Sequence, residues 1–174
     1  MITEINNENK GDINKPNQPF EVIGKIIPIF HDGVWSFTEM LFDNPYSKSY
    51  PIDDEQYEDY IDNPNKVIFL YYEANECLGQ IIIKKNWNRY AYIHDIAVAQ
   101  KARGKGVGAK LIHRAIEWAK DKNLCGLMLE TQDNNLTACR FYKKNGFKIG
   151  GVDTMLYAGF DNADEKAVFW YLKF

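Results

Sequence analysis

A chain of 174 residues and 20.2 kDa suits one domain, because domains run to about 100–200 residues, and its 45% hydrophobic content is enough for a sizeable core. A formal charge of −3 and a pI of about 5.6 speak against general nucleic-acid binding, which needs a basic surface to meet phosphates. The longest apolar run, Val67 to Tyr72, is far short of the ~20 residues of a membrane span, and Cys77, Cys125 and Cys139, without a C-x-x-C pair, exclude a disulfide scaffold or a zinc module. The polar start also lacks the order of a secretion signal, so the expectation is a cytoplasmic protein with no metal, no nucleic-acid partner and no membrane partner.

Residues 1–19 are rich in Asn, Lys, Glu and Pro and read as a loosely held polar arm, with residues 20–174 as a single domain. Phe20 to Phe30 is dense in Val and Ile and reads as a strand, which Pro28 assigns to an edge or a bulge. His31-Asp32-Gly33 is a turn signal, so Val34 to Glu39 can return antiparallel. Asn44 to Pro51 is loop-like, and a short acidic helix follows near 53–61, which the Asp53 or Asp54 side chain could cap. Val67 to Glu73, Leu78 to Lys85 and Tyr90 to Val98 predict a meander of strands. Lys105 to Asp121 is the clearest helix, since Val107, Leu111, Ile112, Ala115, Ile116 and Ala119 recur at helical spacing on one face. Gly126 to Thr131 predicts a buried strand. Asn135 to Lys144 predicts a second helix, capped by Asp133 or Asn134, with Gly146 just past its end. Phe147 to Tyr157 and Ala167 to Lys173 supply the last strands. A strand–helix–strand unit implies a parallel pair, Tyr90–Val98 beside Gly126–Thr131, in a sheet otherwise antiparallel. That is an α+β mixed sheet.

The strongest chemical signal is Gln100-Lys101-Ala102-Arg103-Gly104-Lys105-Gly106-Val107-Gly108-Ala109, between the strand ending at Val98 and the long helix. Three glycines at alternate positions let the backbone turn tightly. The unpaired N–H groups of the helix's first turn, with its dipole, make an anion site suited to pyrophosphate. Arg103 and Lys105 add charge at the rim. A Walker loop fails because Leu111 follows Lys110 where a hydroxyl-bearing residue would be needed in sequence with a lysine. The Rossmann spacing of Gly104, Gly106 and Ala109 matches nominally, but that motif opens a parallel sheet, and antiparallel-type strands precede it here. R-x-x-G-x-G, met by Arg103, Gly106 and Gly108, suits its surroundings better.

That motif after Ile96-Ala97-Val98, with Asn135-x-x-Ala138-x-x-Phe141-Tyr142-x-x-x-Gly146-Phe147 downstream, resembles the two acetyl-CoA hallmarks of the GNAT N-acetyltransferases. The stretches FEVIGKIIPIF, DGVWSFTE and EKAVFWYLKF are similar to the bacterial streptothricin (nourseothricin) acetyltransferases within that family. The resemblance implies a GNAT-like fold, flanked by helices, whose central parallel pair splays at the cofactor site. It implies acetyl-CoA as co-substrate, its diphosphate on main-chain N–H groups from Arg103 through Gly104, Lys105, Gly106, Val107 and Gly108. Lys101 or Lys105 could meet the adenine-side phosphate. The pantetheine arm is expected along Ile96, Ala97 and Val98, and a main-chain N–H near Ile96 or Ala97 would polarise the thioester carbonyl. Asn135 either caps its helix or bonds the cofactor arm. Tyr142 stands where the family places the acid that protonates the departing thiolate; the alternative is a core tyrosine.

A lysine-like amine has a pKa of about 10.4, so only about one in 2,500 is neutral at pH 7, and a carboxylate must collect its proton. Glu130 matches a family position for that base, and Asp95 on the facing strand competes; a structural acceptor role is the alternative for each. His31, His94 and His113 have no compelled role, and His94 and Asp95 point to opposite faces unless a bulge intervenes. No serine or cysteine is placed as a nucleophile, which favours direct transfer in a ternary complex. The acidic segment Glu39–Asp62, with Asp153, Asp161, Asp164 and Glu165, is expected to wall a cationic amine site. Trp35, Phe37, Tyr46, Tyr50, Tyr157 and Phe160 could line it, although solvated acids and core aromatics are the simpler account of most of them. Streptothricin, with its β-lysine moiety, is the expected acceptor, giving antibiotic resistance. A protein-lysine or polyamine acetyltransferase and a non-catalytic acyl-CoA-binding module are the alternatives, and a homodimer is compatible with either.

Overall fold

The computed structural model describes residues 1–52 and 55–174. In chain order the strands and helices are β1 (Ile2–Glu4), β2 (Phe20–His31), β3 (Val34–Lys48), β4 (Lys66–Glu73), β5 (Glu76–Lys85), β6 (Ala91–Val98), α1 (Val107–Asp121), β7 (Gly126–Gln132), α2 (Leu136–Lys144), β8 (Lys148–Asp153) and β9 (Ala167–Lys173). Seven strands form one sheet in the order β1-β4-β5-β6-β7-β9-β8, while β2 and β3 form a two-stranded ribbon. The pairs β1–β4, β4–β5, β5–β6 and β8–β9 are antiparallel. The crossover through α1 makes β6 and β7 the parallel pair, as the expected α+β mixed sheet requires. The residues group into two compact units, Met1–Phe20 with Ser49–Leu127, and Glu21–Lys48 with Met128–Phe174.

In the first unit β4 and β5 are buried over almost their whole length, as their apolar runs demand. On one face α1 lays down Val107, Leu111, Ile112, Ala115, Trp118 and Ala119, which is the predicted stripe with Trp118 added and Ile116 only half-buried. On the other face Ile68, Leu70, Cys77 and Ile82 are covered by Ile5 and Tyr60, with Ile13, Tyr57 and Ile61 packed against them. The first nineteen residues are therefore not a loose arm. Ile2 to Glu4 pairs with Phe69 to Tyr71, and the Ile5 N–H donates to Ile68 O at 2.9 Å. Their polar composition conceals Ile2, Ile5 and Ile13, whose burial stabilises an otherwise solvated segment. The expected acidic helix is only a 3-10 turn, Tyr57–Tyr60, with no side-chain cap at Gln56. Asp53 and Asp54, expected as its caps, lie outside the described residues.

In the second unit β2 turns into β3 through Asp32 and Gly33, both at positive φ (48° and 76°), the geometry that matches hairpin twist. β3 runs to Lys48, through much of the segment expected as loop. Pro45 is tolerated because a two-stranded ribbon has only edges, and the end of the strand is anchored by Tyr46 and Lys48 side chains described below. Of the caps considered for α2 it is Asn135, not Asp133 or Asn134, whose side chain accepts the Ala138 N–H, at 3.2 Å. Its end is a Schellman motif, with Phe147 N–H on Tyr142 O and Gly146 N–H on Lys143 O, both 3.1 Å, and Gly146 at φ 87°. β8 stops at Asp153 because that side chain accepts the N–H groups of Met155 (2.7 Å) and Leu156 (3.0 Å), which turns the chain short of the expected Tyr157. No helix among the described residues is long and apolar enough to cross a membrane.

Candidate active site

The first unit carries the glycine turn. After β6, a 3-10 turn at Gln100–Ala102 leads to Gly104 and Gly106 at φ 76° and 82°, left-handed values that a side chain would strain. Gly106 is the N-cap of α1, and the first bond of that helix runs from Lys110 N–H to Gly106 O at 3.1 Å. The N–H groups of Val107, Gly108 and Ala109 thus have no carbonyl one turn back. Arg103 and Lys105 use their own N–H groups inside the turn, on Gln100 O (3.3 Å) and Ala102 O (3.4 Å). Of the residues expected to cradle phosphate, this leaves Gly104, Gly106, Val107 and Gly108 with amides unpaired among the described residues.

The basic side chains behave differently from one another. Arg103 does not stand free at the rim: its Nε donates to Val98 O (2.9 Å), Nη1 to Pro19 O (2.8 Å) and Nη2 to Gln18 O (2.9 Å). Lys101 is ion-paired with Glu76, whereas Lys105 is exposed. On β6 the register against β5 skips between Ile82↔Asp95 and Ile83↔Ile93, so His94 is the extra residue of a bulge. The condition under which His94 and Asp95 escape simple alternation is therefore met. Asp95 accepts from Gln80 Nε2 at 2.6 Å, and His94 Nε2 lies 3.5 Å from the Glu55 carboxylate, which also takes Tyr60 O–H at 2.5 Å. Ile96, Ala97 and Val98 follow, paired with Ile81, Gln80 and Gly79.

The second unit carries Tyr142, the acid candidate, and Glu130, one of the two base candidates. Tyr142, in the last turn of α2, is buried with its ring 5.7 Å from Phe147 and 6.1 Å from Trp170. Glu130 on β7 accepts the Tyr157 hydroxyl. Burial pushes its carboxyl above the usual range against that bond, and the charge of Glu165 adds to the rise. Glu165 is moved the other way. Burial would raise it, but donors from Asn162 (2.8 Å), Lys48 (2.6 Å) and Asn134 (2.8 Å) prevail and hold it below the usual range. Asn134 also donates to the Tyr46 hydroxyl at 3.2 Å.

Five acids of the expected wall are ion-paired within the protein. Glu39 pairs with Arg140, Glu55 with Lys84, Glu58 with Lys10, Asp59 with Lys66 and Glu165 with Lys48. Among its aromatics Phe37 packs edge-on against Trp170, Trp35 against Phe30 and Tyr50 against Phe20, while Phe160 is exposed. Sequence reasoning missed Gln80, Asn14 and the bond from Tyr157 to Glu130. A glutamine inside the apolar run CLGQIII was a signal for Gln80; nothing comparable marked the others.

The Acetyltransferase (GNAT) family model matches residues 34–147. Streptothricin acetyltransferase A of Bacillus subtilis (strain 168) is 55% identical over 174 residues, 100% of either chain. The chain belongs to the GNAT acetyltransferase family. Escherichia coli streptothricin acetyltransferase shares 38% identity with this GNAT chain over 129 residues, 74% of it and 71% of the relative. A crystal structure from Bacillus anthracis str. Ames, described as a streptothricin acetyltransferase in complex with acetyl coenzyme A, superposes with a TM-score of 0.93 at 40% identity, covering 100% of the GNAT chain and 99% of its own.

Proposed function

We propose that this acetyltransferase moves an acetyl group from acetyl-CoA to a primary amine of streptothricin, on its β-lysine moiety, by direct transfer in a ternary complex, and thereby confers resistance in the cytoplasm. The full-length identity to a streptothricin acetyltransferase and the acetyl coenzyme A in the Bacillus anthracis structure support the choice of substrates. The observation that carries the reading is the glycine turn, where the amides of Gly104, Gly106, Val107 and Gly108 face no internal acceptor at the positive end of a 15-residue helix. A Cβ built on Gly104 or Gly106 would meet nothing within 4 Å, so the turn is open to an incoming diphosphate. Three free cysteines agree with a reducing compartment.

Acetyl-CoA supplies an activated acyl carbon and a thiol leaving group. The chain's residues do the rest. A main-chain N–H at Ile96 or Ala97, beside the β6 bulge, polarises the acyl carbonyl. Glu130 is the better base, because burial raises its proton affinity towards the working range. Tyr142 returns a proton to the thiolate; with pKa values of about 8.5 for a thiol and about 10 for tyrosine, the transfer is uphill by only ~2 kcal/mol. Asn135 holds α2, and Tyr142 with it, through its cap.

Thiol release from acetyl-CoA is the test, with streptothricin, spermidine and a lysine peptide compared at equal concentration. Streptothricin should give the highest kcat/KM. A preference for either other amine would replace the acceptor, and release with none would leave a binding module.

A further inference from the structure

The arginine of the R-x-x-G-x-G turn makes no use of its charge at the rim. Its guanidinium is a three-pronged tie: Nε to Val98 O, the last residue of β6, and the two terminal nitrogens to Gln18 O and Pro19 O, all within 2.8–2.9 Å. A second tie lies beside it, from Gln100 N–H to the Gln18 side chain at 2.8 Å. Earlier in the same segment Asn14, at a left-handed φ of 68°, is held by Gln80 through a bond in each direction: its N–H donates to Gln80 Oε1 (2.7 Å) and its Oδ1 accepts from Gln80 Nε2 (3.1 Å). Gln80 is fully buried, and its amide continues to Asp95 on β6 at 2.6 Å. Residues 14–19 are thus fastened at one end to the bulged part of β6 and at the other to the first half of the glycine turn.

We infer that residues 14–19 are a brace for the cofactor cradle, with Arg103 as the positioning residue that transmits it. This rests on the reading of the glycine turn as the acetyl-CoA diphosphate site. A glycine-rich turn is conformationally loose, and presenting four amides to one diphosphate needs their directions fixed beforehand. Arg103 supplies that constraint, because a planar fork can satisfy three carbonyls at once; a lysine ammonium keeps the charge but not the fork. Removing the guanidinium therefore cuts the direct link between the brace and the end of β6, leaving only the bonds of Gln18 to Gln100 and of Asn14 to Gln80.

Calorimetric titration with acetyl-CoA separates the alternatives. The wild type binds; absence of binding would overturn the diphosphate reading itself, before any variant is compared. Arg103→Met and Arg103→Lys should both weaken binding by about tenfold, raising KM for acetyl-CoA with kcat little changed, and the lysine should not rescue. Pro19→Gly, which loosens the brace and leaves Arg103 intact, should weaken binding several-fold. The double variant Pro19→Gly/Arg103→Met should bind no more weakly than Arg103→Met alone, because the two changes break one connection. Rescue by lysine would put the guanidinium's charge on the phosphates and overturn the brace, as would fully additive losses or unchanged affinity in Arg103→Met. Circular dichroism confirms folding of each variant, and if Arg103→Met does not fold, Arg103→Lys and Pro19→Gly carry the test.

Discussion

Tyr142 sits among Phe147, Phe141 and Trp170, so its ring is fixed by packing. Tyr142→Phe keeps that packing; kcat should fall about 100-fold, the usual scale for one general acid, with acetyl-CoA affinity unchanged by titration. A rate equal to wild type would remove it as the acid. Glu130 combines two effects of one environment. Its raised proton affinity means that the folded state binds a proton more tightly than the unfolded one, so stability falls as pH rises from the ordinary carboxyl range to its raised folded pKa. Glu130→Gln should therefore cut kcat by about 100-fold while leaving the thermal midpoint at pH 7 equal or higher. Glu165 has the opposite sign: held low by Asn162, Lys48 and Asn134, it stabilises above the ordinary carboxyl range and loses that contribution as pH falls through its folded pKa. Glu165→Gln should cost about 1–3 kcal/mol in urea unfolding at pH 7 and progressively less in acid. These pairings were not legible in the sequence, because Glu130 and Tyr157, or Lys48 and Glu165, are brought together only by the folded chain.

The two helices show what local pattern can and cannot fix. The apolar stripe of α1 and the glycine turn before it were readable, since periodicity and left-handed glycines act over a few residues. The start of α2 was misplaced by a residue because Asp133, Asn134 and Asn135 are all good caps, and tertiary bonds decide among them. Asp133 Oδ1 takes the Lys166 N–H, Asn134 reaches Glu165, and Asn135 is left to cap. Asn135→Ala should cost about 1 kcal/mol, and Asn135→Ser should recover most of it. If KM for acetyl-CoA rises equally in both, the side chain has a cofactor role besides the cap. Gly146→Ala strains a left-handed position and should cost about 1 kcal/mol or more, read as a lowered thermal midpoint. At Gly106 the same strain falls on the cradle, so Gly106→Val should weaken acetyl-CoA binding at least tenfold.

Across the chain as a whole, the mixed sheet and its parallel pair followed from the sequence of elements, whereas the place of β9 between β7 and β8 and the fate of the first nineteen residues did not. The strand partners of Ile2 to Ile5 and of Asn14, on β4 and β5, lie more than 60 residues away, beyond any local signal. Amide exchange measures the difference: the Ile5 and Asn14 N–H groups should be protected like the sheet, and uniformly fast exchange over residues 1–19 would contradict the packing. Trp170, 1% exposed and 6.1 Å from the Tyr142 ring, gives the protein a built-in optical probe. Trp87, 91% exposed, is the main source of emission that acrylamide can reach. In a Trp87→Phe background the remaining fluorescence comes chiefly from shielded indoles, so a ligand arriving at Tyr142 should register as a change in emission without any label.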